Sequence, residues 1–349
     1  MTDPFLAAAA GAPSPERVPV WFMRQAGRSL PEYHQVRGAT TMLEACNDPS
    51  LVCEITLQPV RRHGVDAAVF YSDIMVPLKA AGLDLDIVPG TGPVIADPIR
   101  TRAQVDALPE LTADQLSPIA EAVGLLTAEL EVPLLGFCGA PFTLASYLVE
   151  GGPSRDHAVA KSFMVSQPEI WAALCRKLVA YSSTFLQVQI DAGAAAVQVF
   201  DSWAGSLAPA DYRTFVQPHS TELLESVARV PRIHFGVGTG ELLTEFVDAG
   251  CEVLGVDHRI PLAEAARRTG GRVAVQGNLD PALLKADWSV IAARVEQVVR
   301  SGAHAPGHIF NLGHGVPPDT DPEVLRRIVE LVHERGADWR RSELEAPGH

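Results

Sequence analysis

Eight short apolar runs recur along the chain: Val18–Met23, Asp66–Tyr71, Pro133–Cys138, Ala195–Phe200, Arg232–Phe235, Glu252–Val256, Arg272–Gln276 and His308–Asn311. Most are apolar throughout rather than alternating, the pattern of strands buried on both faces of a parallel sheet. Longer amphipathic stretches with helix punctuation lie between them. "NDPSLVCEITLQPVRRHG" offers an aspartate to cap, a proline in the first turn and a glycine past the end. "QPEIWAALCRKLVAYSSTFLQVQIDAG" is periodic up to Gly193, and "TDPEVLRRIVELVHERG" repeats the cap, proline and glycine order.

Three junctions read alike: "RRHGVDAAVFYSD", "QIDAGAAAVQVFDS" and "VDAGCEVLGVD". Each is a helix end, a glycine, a buried strand and then an acid, which predicts one repeating architecture. Eight strands alternating with helices predict an α/β fold, a single (β/α)8 TIM barrel. Its expected bounds are 17–336, with flexible tails at 1–16 and 337–349. Gly82–Thr101 has no helical period and is expected to be a loop or hairpin inserted after the second strand. The competing architecture is an open doubly wound sheet, but no G-x-G-x-x-G follows the first strand, and "FGVGTGE" after the fifth reads as a tight turn.

Composition narrows the class. The 349 residues carry net charge −14 and no basic stripe, so nucleic acid is not an expected partner. An anionic ligand must then be drawn in by a local positive cleft. Val132–Val149 is uncharged, but Pro133, Gly136, Gly139 and Pro141 break it, so a strand, a tight loop and a helix start are expected rather than a membrane span. Five cysteines without a C-x-x-C pair point to a reducing compartment and away from structural zinc. The N-terminus has no basic region ahead of its alanine run, and a cytoplasmic location is expected.

In a barrel, chemistry collects at the carboxyl ends of the strands. Arg24, Gln25, Gly27 and Arg28 follow the first run, and Ser72 and Asp73 the second. Gly139, Thr143 and Tyr147 follow the third, Asp201 and Ser202 the fourth, and His314 the eighth. Two guanidinium groups in an acidic chain suit a carboxylate ligand. The plain alternatives are a solvated basic turn for the arginines, a helix cap for Asp73, core packing for Tyr147 and a turn cap for Ser202. Asp257 and His258 in "GVDHR" are read as structural polar contacts. The sequence lacks H-E-x-x-H, a P-loop and G-x-S-x-G.

With these residues in view, the sequence resembles the uroporphyrinogen decarboxylase family. "PVWFMRQAGR" and "GFCGAPFTL" look like that family's two signatures. "YSDIMVP", "FDSWAG", "QGNLDP" and "NLGHG" match further blocks in order, from about Pro19 to Val332. One departure is Ser29, where the family usually has an aromatic residue. The resemblance implies a homodimeric barrel that converts the four acetates of uroporphyrinogen III to methyls, giving coproporphyrinogen III without metal or organic cofactor. It carries substrate binding to Arg24, Gln25, Ala26, Gly27 and Arg28, with Arg37 later in the same block. It also points to Asp73, Tyr147, Ser202 and His314.

These residue types suit that chemistry. Arginines can grip the carboxylates of a polyanion in bidentate pairs. An enclosed aspartate can accept pyrrole N–H bonds and steady a cationic ring as carbon dioxide leaves. Tyr147 can donate to a reacting carboxylate or to Asp73. The proton donor is Arg24 or a bound water. Two competing expectations are a zinc- and cobamide-dependent methyltransferase of the same superfamily and a non-catalytic tetrapyrrole-binding protein. The first needs a His-x-Cys pair, whereas His234 is followed by Phe235 and Gly236.

Overall fold

The computed structural model describes residues 3–12 and 17–346. The tail assignments for 1–2, 13–16 and 347–349 lie outside the described residues. The strands are β1 Ala68–Val69, β2 Leu85–Val88, β3 Gly92–Ile95, β4 Leu134–Gly139, β5 Ala196–Asp201, β6 Arg232–Gly236, β7 Val253–Gly255, β8 Ala274–Leu279 and β9 His308–Leu312. Seven of them pair in parallel in the order β1-β4-β5-β6-β7-β8-β9. Each of the seven falls on one of the apolar runs, and β4, β7, β8 and β9 are buried along their whole length. β2 and β3 form a separate antiparallel hairpin with Leu85 opposite Ile95, inside the 82–101 stretch.

The remaining run, 18–23, makes one parallel bridge, Val20 to Phe310 of β9. Phe310 N–H donates to Pro19 O at 2.8 Å, and Trp21 N–H to Phe310 O at 3.3 Å. Its other flank meets the start of β1. Asp66 N–H donates to Val20 O at 2.7 Å, and Asp66 Oδ2 accepts Val20 N–H at 2.8 Å. The buried Asp66 carboxylate also pairs with Arg17 and lies 2.6 Å from His333 Nε2, so its charge is matched. Inside the sheet, Trp21 Nε1 donates to Gln276 Oε1 at 2.9 Å and Gln276 Nε2 to Gln198 Oε1 at 2.8 Å. This polar chain ties the first run to β8 and β5 through the apolar interior.

The helices follow their punctuation. Asp48 caps Pro49–His63, which ends on a left-handed Gly64. Helix Pro168–Ala192 ends at Gly193. The uncharged stretch at 132–149 resolves into β4 and helix Pro141–Glu150. No helix among the described residues is long and apolar enough to cross a membrane. All five cysteines are free and buried.

Both expected tails need correction. Residues Pro4–Ala9 form a helix capped by the Asp3 carboxylate, with Phe5 fully buried as the helix packs against β9. Six residues are too few to show a helical period, so the alanine run hid the element. At the other end, helix Pro322–Glu345 runs straight through Gly336. A Cβ there would lie 3.3 Å from Val18 Cγ2, so this glycine serves close packing on the first run rather than a stop. Trp339 and Arg340 beyond it are buried, and Arg340 Nη2 donates to Ala305 O at 3.1 Å.

Candidate active site

The loop after the first run is unusual in its backbone. Arg24 and Arg28 both adopt left-handed φ values, 60° and 53°, and Gly27 lies between them at 83°. Non-glycine residues in this region carry roughly 1–3 kcal/mol of strain each and cluster at ligand clamps. Neighbouring strands hold the loop in place. Met23 N–H donates to Asn311 Oδ1 at 2.9 Å, and Val316 N–H to Met23 O at 2.8 Å. The buried Gln25 side chain accepts Phe22 N–H at 2.9 Å and donates to Ala67 O at 3.0 Å. Gln25 therefore spends its amide on the scaffold, and Ala26 packs against the core. Gly27 backs onto the rings of Tyr33 and Tyr71. Burial and the neighbouring Arg24 charge push the Arg28 guanidinium below its usual pKa. A pair of crowded cations of this kind is stabilised by an anion.

Asp73 follows β1 in the loop leading to helix Val76–Ala80. Its Oδ1 accepts Met75 N–H at 2.8 Å, so the capping role is present. Enclosure nevertheless dominates and raises its pKa above the ordinary carboxylate range, against the opposing pull of Met75 N–H and Arg24. Tyr147 lies in the same neighbourhood. Burial first, and then the Asp73 charge, push its hydroxyl up to about 12, while Arg24 acts in the opposite sense. Arg24 and Asp73, on the loops after the first run and after β1, and Tyr147, on helix Pro141–Glu150 after β4, thus lie within reach of one another's charge.

Tyr147 packs against Trp203 with centroids 3.9 Å apart and planes tilted by 35°, and His157 packs against the same indole at 4.4 Å with the same tilt. Ser202, half-buried, sits beside these rings at the end of β5. Beneath it, Thr143 Oγ1 donates to the buried Asp201 at 2.9 Å and accepts Trp203 N–H at 3.4 Å. Trp203 and His157 escaped the sequence reading. The "FDSWAG" block places Trp203 next to Ser202, but His157 reaches it from the distant "SRDH" segment, which no local pattern signals.

His314 also lies beside the arginine loop. It lines a cavity of about 380 Å³ together with Arg28, His258, Asp280, and residues 315–318. Partial enclosure, then the charges of Arg24, Arg28, His258 and Arg259, lower its pKa. Of the neighbouring pair, Asp257 is the structural contact expected. It accepts Gly238 N–H at 2.6 Å and pairs with Arg259. His258, in contrast, has no hydrogen bond of its own at Nδ1 and lines the cavity. Arg37 lies farther out, donating to Tyr33 Oη at 3.0 Å. His234 is fully buried and stacked on Phe246 at 3.9 Å. Among the described residues no group of three or more His, Cys, Asp or Glu side chains is placed to hold a metal.

Cations, an enclosed acid and aromatic rings gathered at the carboxyl ends of parallel strands define an α/β enzyme that handles carboxylates. The family model described as uroporphyrinogen decarboxylase (URO-D) matches residues 1–335, and the chain belongs to that family. A protein of Salinispora tropica named uroporphyrinogen decarboxylase is 59% identical over 335 residues, covering 95% of this chain and 90% of its own. One of Rhodococcus opacus with the same name is 60% identical over 338 residues, covering 95% of each. Among solved structures, a methyltransferase from Methanosarcina mazei superposes with a TM-score of 0.78 at 21% identity, covering 95% of this chain and 97% of its own. That likeness reports the shared fold.

Proposed function

We propose that this chain decarboxylates the four acetate side chains of uroporphyrinogen III to methyls, releasing coproporphyrinogen III. The observation that supports the proposal is the left-handed arginine loop presenting Arg24 and Arg28, with Asp73 and Tyr147 near enough to feel the Arg24 charge. Each cycle consumes one proton per acetate. A proton adds to a pyrrole carbon and makes the ring cationic. The bond between the methylene and the carboxylate then breaks, carbon dioxide leaves, and its bonding electrons flow into the ring. Loss of the ring proton and protonation of the methylene carbon complete the methyl group.

Asp73 is the anion that accepts the pyrrole N–H bonds and steadies the cationic ring where the charge develops. Arg24 and Arg28 hold acetate or propionate carboxylates, each charge-assisted bond contributing ~1.5–3 kcal/mol. The proton comes from Arg24 or from water held beside it. Tyr147 donates to a reacting carboxylate, and Ser202 and His314 hold peripheral ones. Gln25, Ala26 and Gly27 shape the loop that presents the arginines. We further propose that run 18–23 closes a (β/α)8 barrel with the β2–β3 hairpin as its insertion, and that the enzyme works as a cytoplasmic homodimer.

The test is anaerobic incubation with uroporphyrinogen III, followed by counting carboxyl groups on the oxidised product. Loss of four carboxyls per macrocycle is expected. Tight binding with all eight carboxyls retained would indicate a carrier and overturn the proposal.

A further inference from the structure

The cavity between Arg28 and His314 has a third nitrogen base in its wall. We propose that His258 is a carboxylate-binding residue of the substrate site, paired with His314 to seat one peripheral acid group of the tetrapyrrole. This rests on the reading that the site takes a tetrapyrrole polyacid.

The segment that carries His258 is fixed before any ligand arrives. Asp257 Oδ1 accepts Arg259 N–H at 3.1 Å and Oδ2 accepts Gly238 N–H at 2.6 Å. Asp257 O accepts Asn278 Nδ2 at 2.8 Å. The backbone is clamped from the other side as well. A Cβ on Gly313 would lie 2.3 Å from His258 N and 2.7 Å from its Cβ. Because Gly313 immediately precedes His314, this contact sets the two histidines side by side at the cavity wall.

The chemistry of the wall favours an anion. His258 Nδ1 is enclosed without a hydrogen-bond partner, so Nε2 is the ring nitrogen left for a ligand. Arg28 supplies a guanidinium to the same space. Asp280 also lines it, but its Oδ1 is committed to Ala282 N–H at 2.9 Å, where it caps a short helical turn. The nearby Arg259 is exposed and held by Asp257. A carboxylate entering here meets one arginine and two imidazoles, opposed by the single charge of Asp280, one of whose oxygens caps the turn. Planar donors held in place in this way spend little conformational freedom on binding.

The test uses the full chain and uroporphyrinogen III under anaerobic conditions. His258→Phe should raise KM about 10-fold, the loss of one charge-assisted contact, with kcat changed less than about threefold. His258→Arg, which restores a cationic donor, should bring KM back to within about threefold of the original. If His258→Phe does not fold, His258→Asn is read against the same thresholds. A KM within twofold of the original in a folded variant, or no recovery with His258→Arg, would overturn the assignment. Failure of the unsubstituted chain to turn over uroporphyrinogen at all would instead sink the underlying reading. The two failures are therefore separable.

Discussion

The aliphatic stem of Arg24 lies directly across Gly315. A Cβ built on that glycine would stand 2.6 Å from Arg24 Cδ and 2.9 Å from Cγ. The second glycine of "NLGHG" therefore sets the height of the arginine over the site, from the opposite end of the sequence. Arg24 is already held in left-handed backbone and has little freedom to yield.

Gly315→Ala should push the Arg24 guanidinium outward while leaving the fold intact. Misplacement of a positioned group by about 1 Å costs roughly 10²-fold in rate, so kcat/KM should fall by that order. Circular dichroism should be unchanged and the melting temperature nearly so. A variant with full activity would show that Arg24 can be displaced without consequence, removing it from the chemistry.

For Asp73, activity and stability should move in opposite directions. Asp73→Asn keeps an oxygen for Met75 N–H but removes the charge, and kcat should drop roughly 10²–10³-fold. The folded-state pKa of Asp73 is raised by enclosure, so its ionised form destabilises the fold. Stability associated with the protonated acid is present below the ordinary pKa near 3.8 and is lost as pH rises through the raised value. The asparagine variant should therefore melt higher than the original at neutral pH, and that gain should shrink as pH falls toward 4. Equal melting temperatures across this range would contradict the enclosure of the acid.

The close ring pair of Tyr147 and Trp203 leads to a further expectation. Trp203→Leu removes the ring that fixes the phenol at 3.9 Å, and aromatic pairs of this kind contribute about 0.5–1.5 kcal/mol beyond burial. Catalysis should suffer more than stability. We expect kcat to fall about tenfold as the hydroxyl loses its position, with Trp203→Phe recovering most of the loss. Equal kcat for both variants and the original would make the ring pair merely structural.

Strand positions were legible because each buried strand is a short apolar run between helix caps, and seven such runs became β1 and β4–β9. The rim was legible for the same reason, since a residue just past a strand end has few places to go. What sequence missed depends on the third dimension. The resemblance carries substrate binding to Gln25, while the fold uses its side-chain amide to bridge Phe22 and Ala67. Gly336 looked like a helix stop, and it is a packing contact on Val18. His157 reaches Trp203 from a segment whose local pattern gives no sign of it, whereas His258 follows the end of β7 and reads from sequence as a structural contact.

The strand that carries the "NLGHG" block begins with a histidine that should make the fold acid-sensitive. His308 is fully buried, with Nε2 3.1 Å from Gly277 O and Nδ1 without a partner. Burial lowers its pKa from 6.5 to about 4, with the Arg340 charge acting in the same sense and Gly277 O against it. A histidine with a depressed folded-state pKa contributes stability that is fully present above 6.5 and lost as pH falls toward 4. A shift of that size corresponds to about 3 kcal/mol. Urea unfolding between pH 7 and 4 should show that loss in the original protein. His308→Gln should start from lower stability at pH 7, because the imidazole fills its space tightly, yet decline less steeply with acid. Parallel pH profiles for the two proteins would show that His308 takes up its proton without unfolding the sheet.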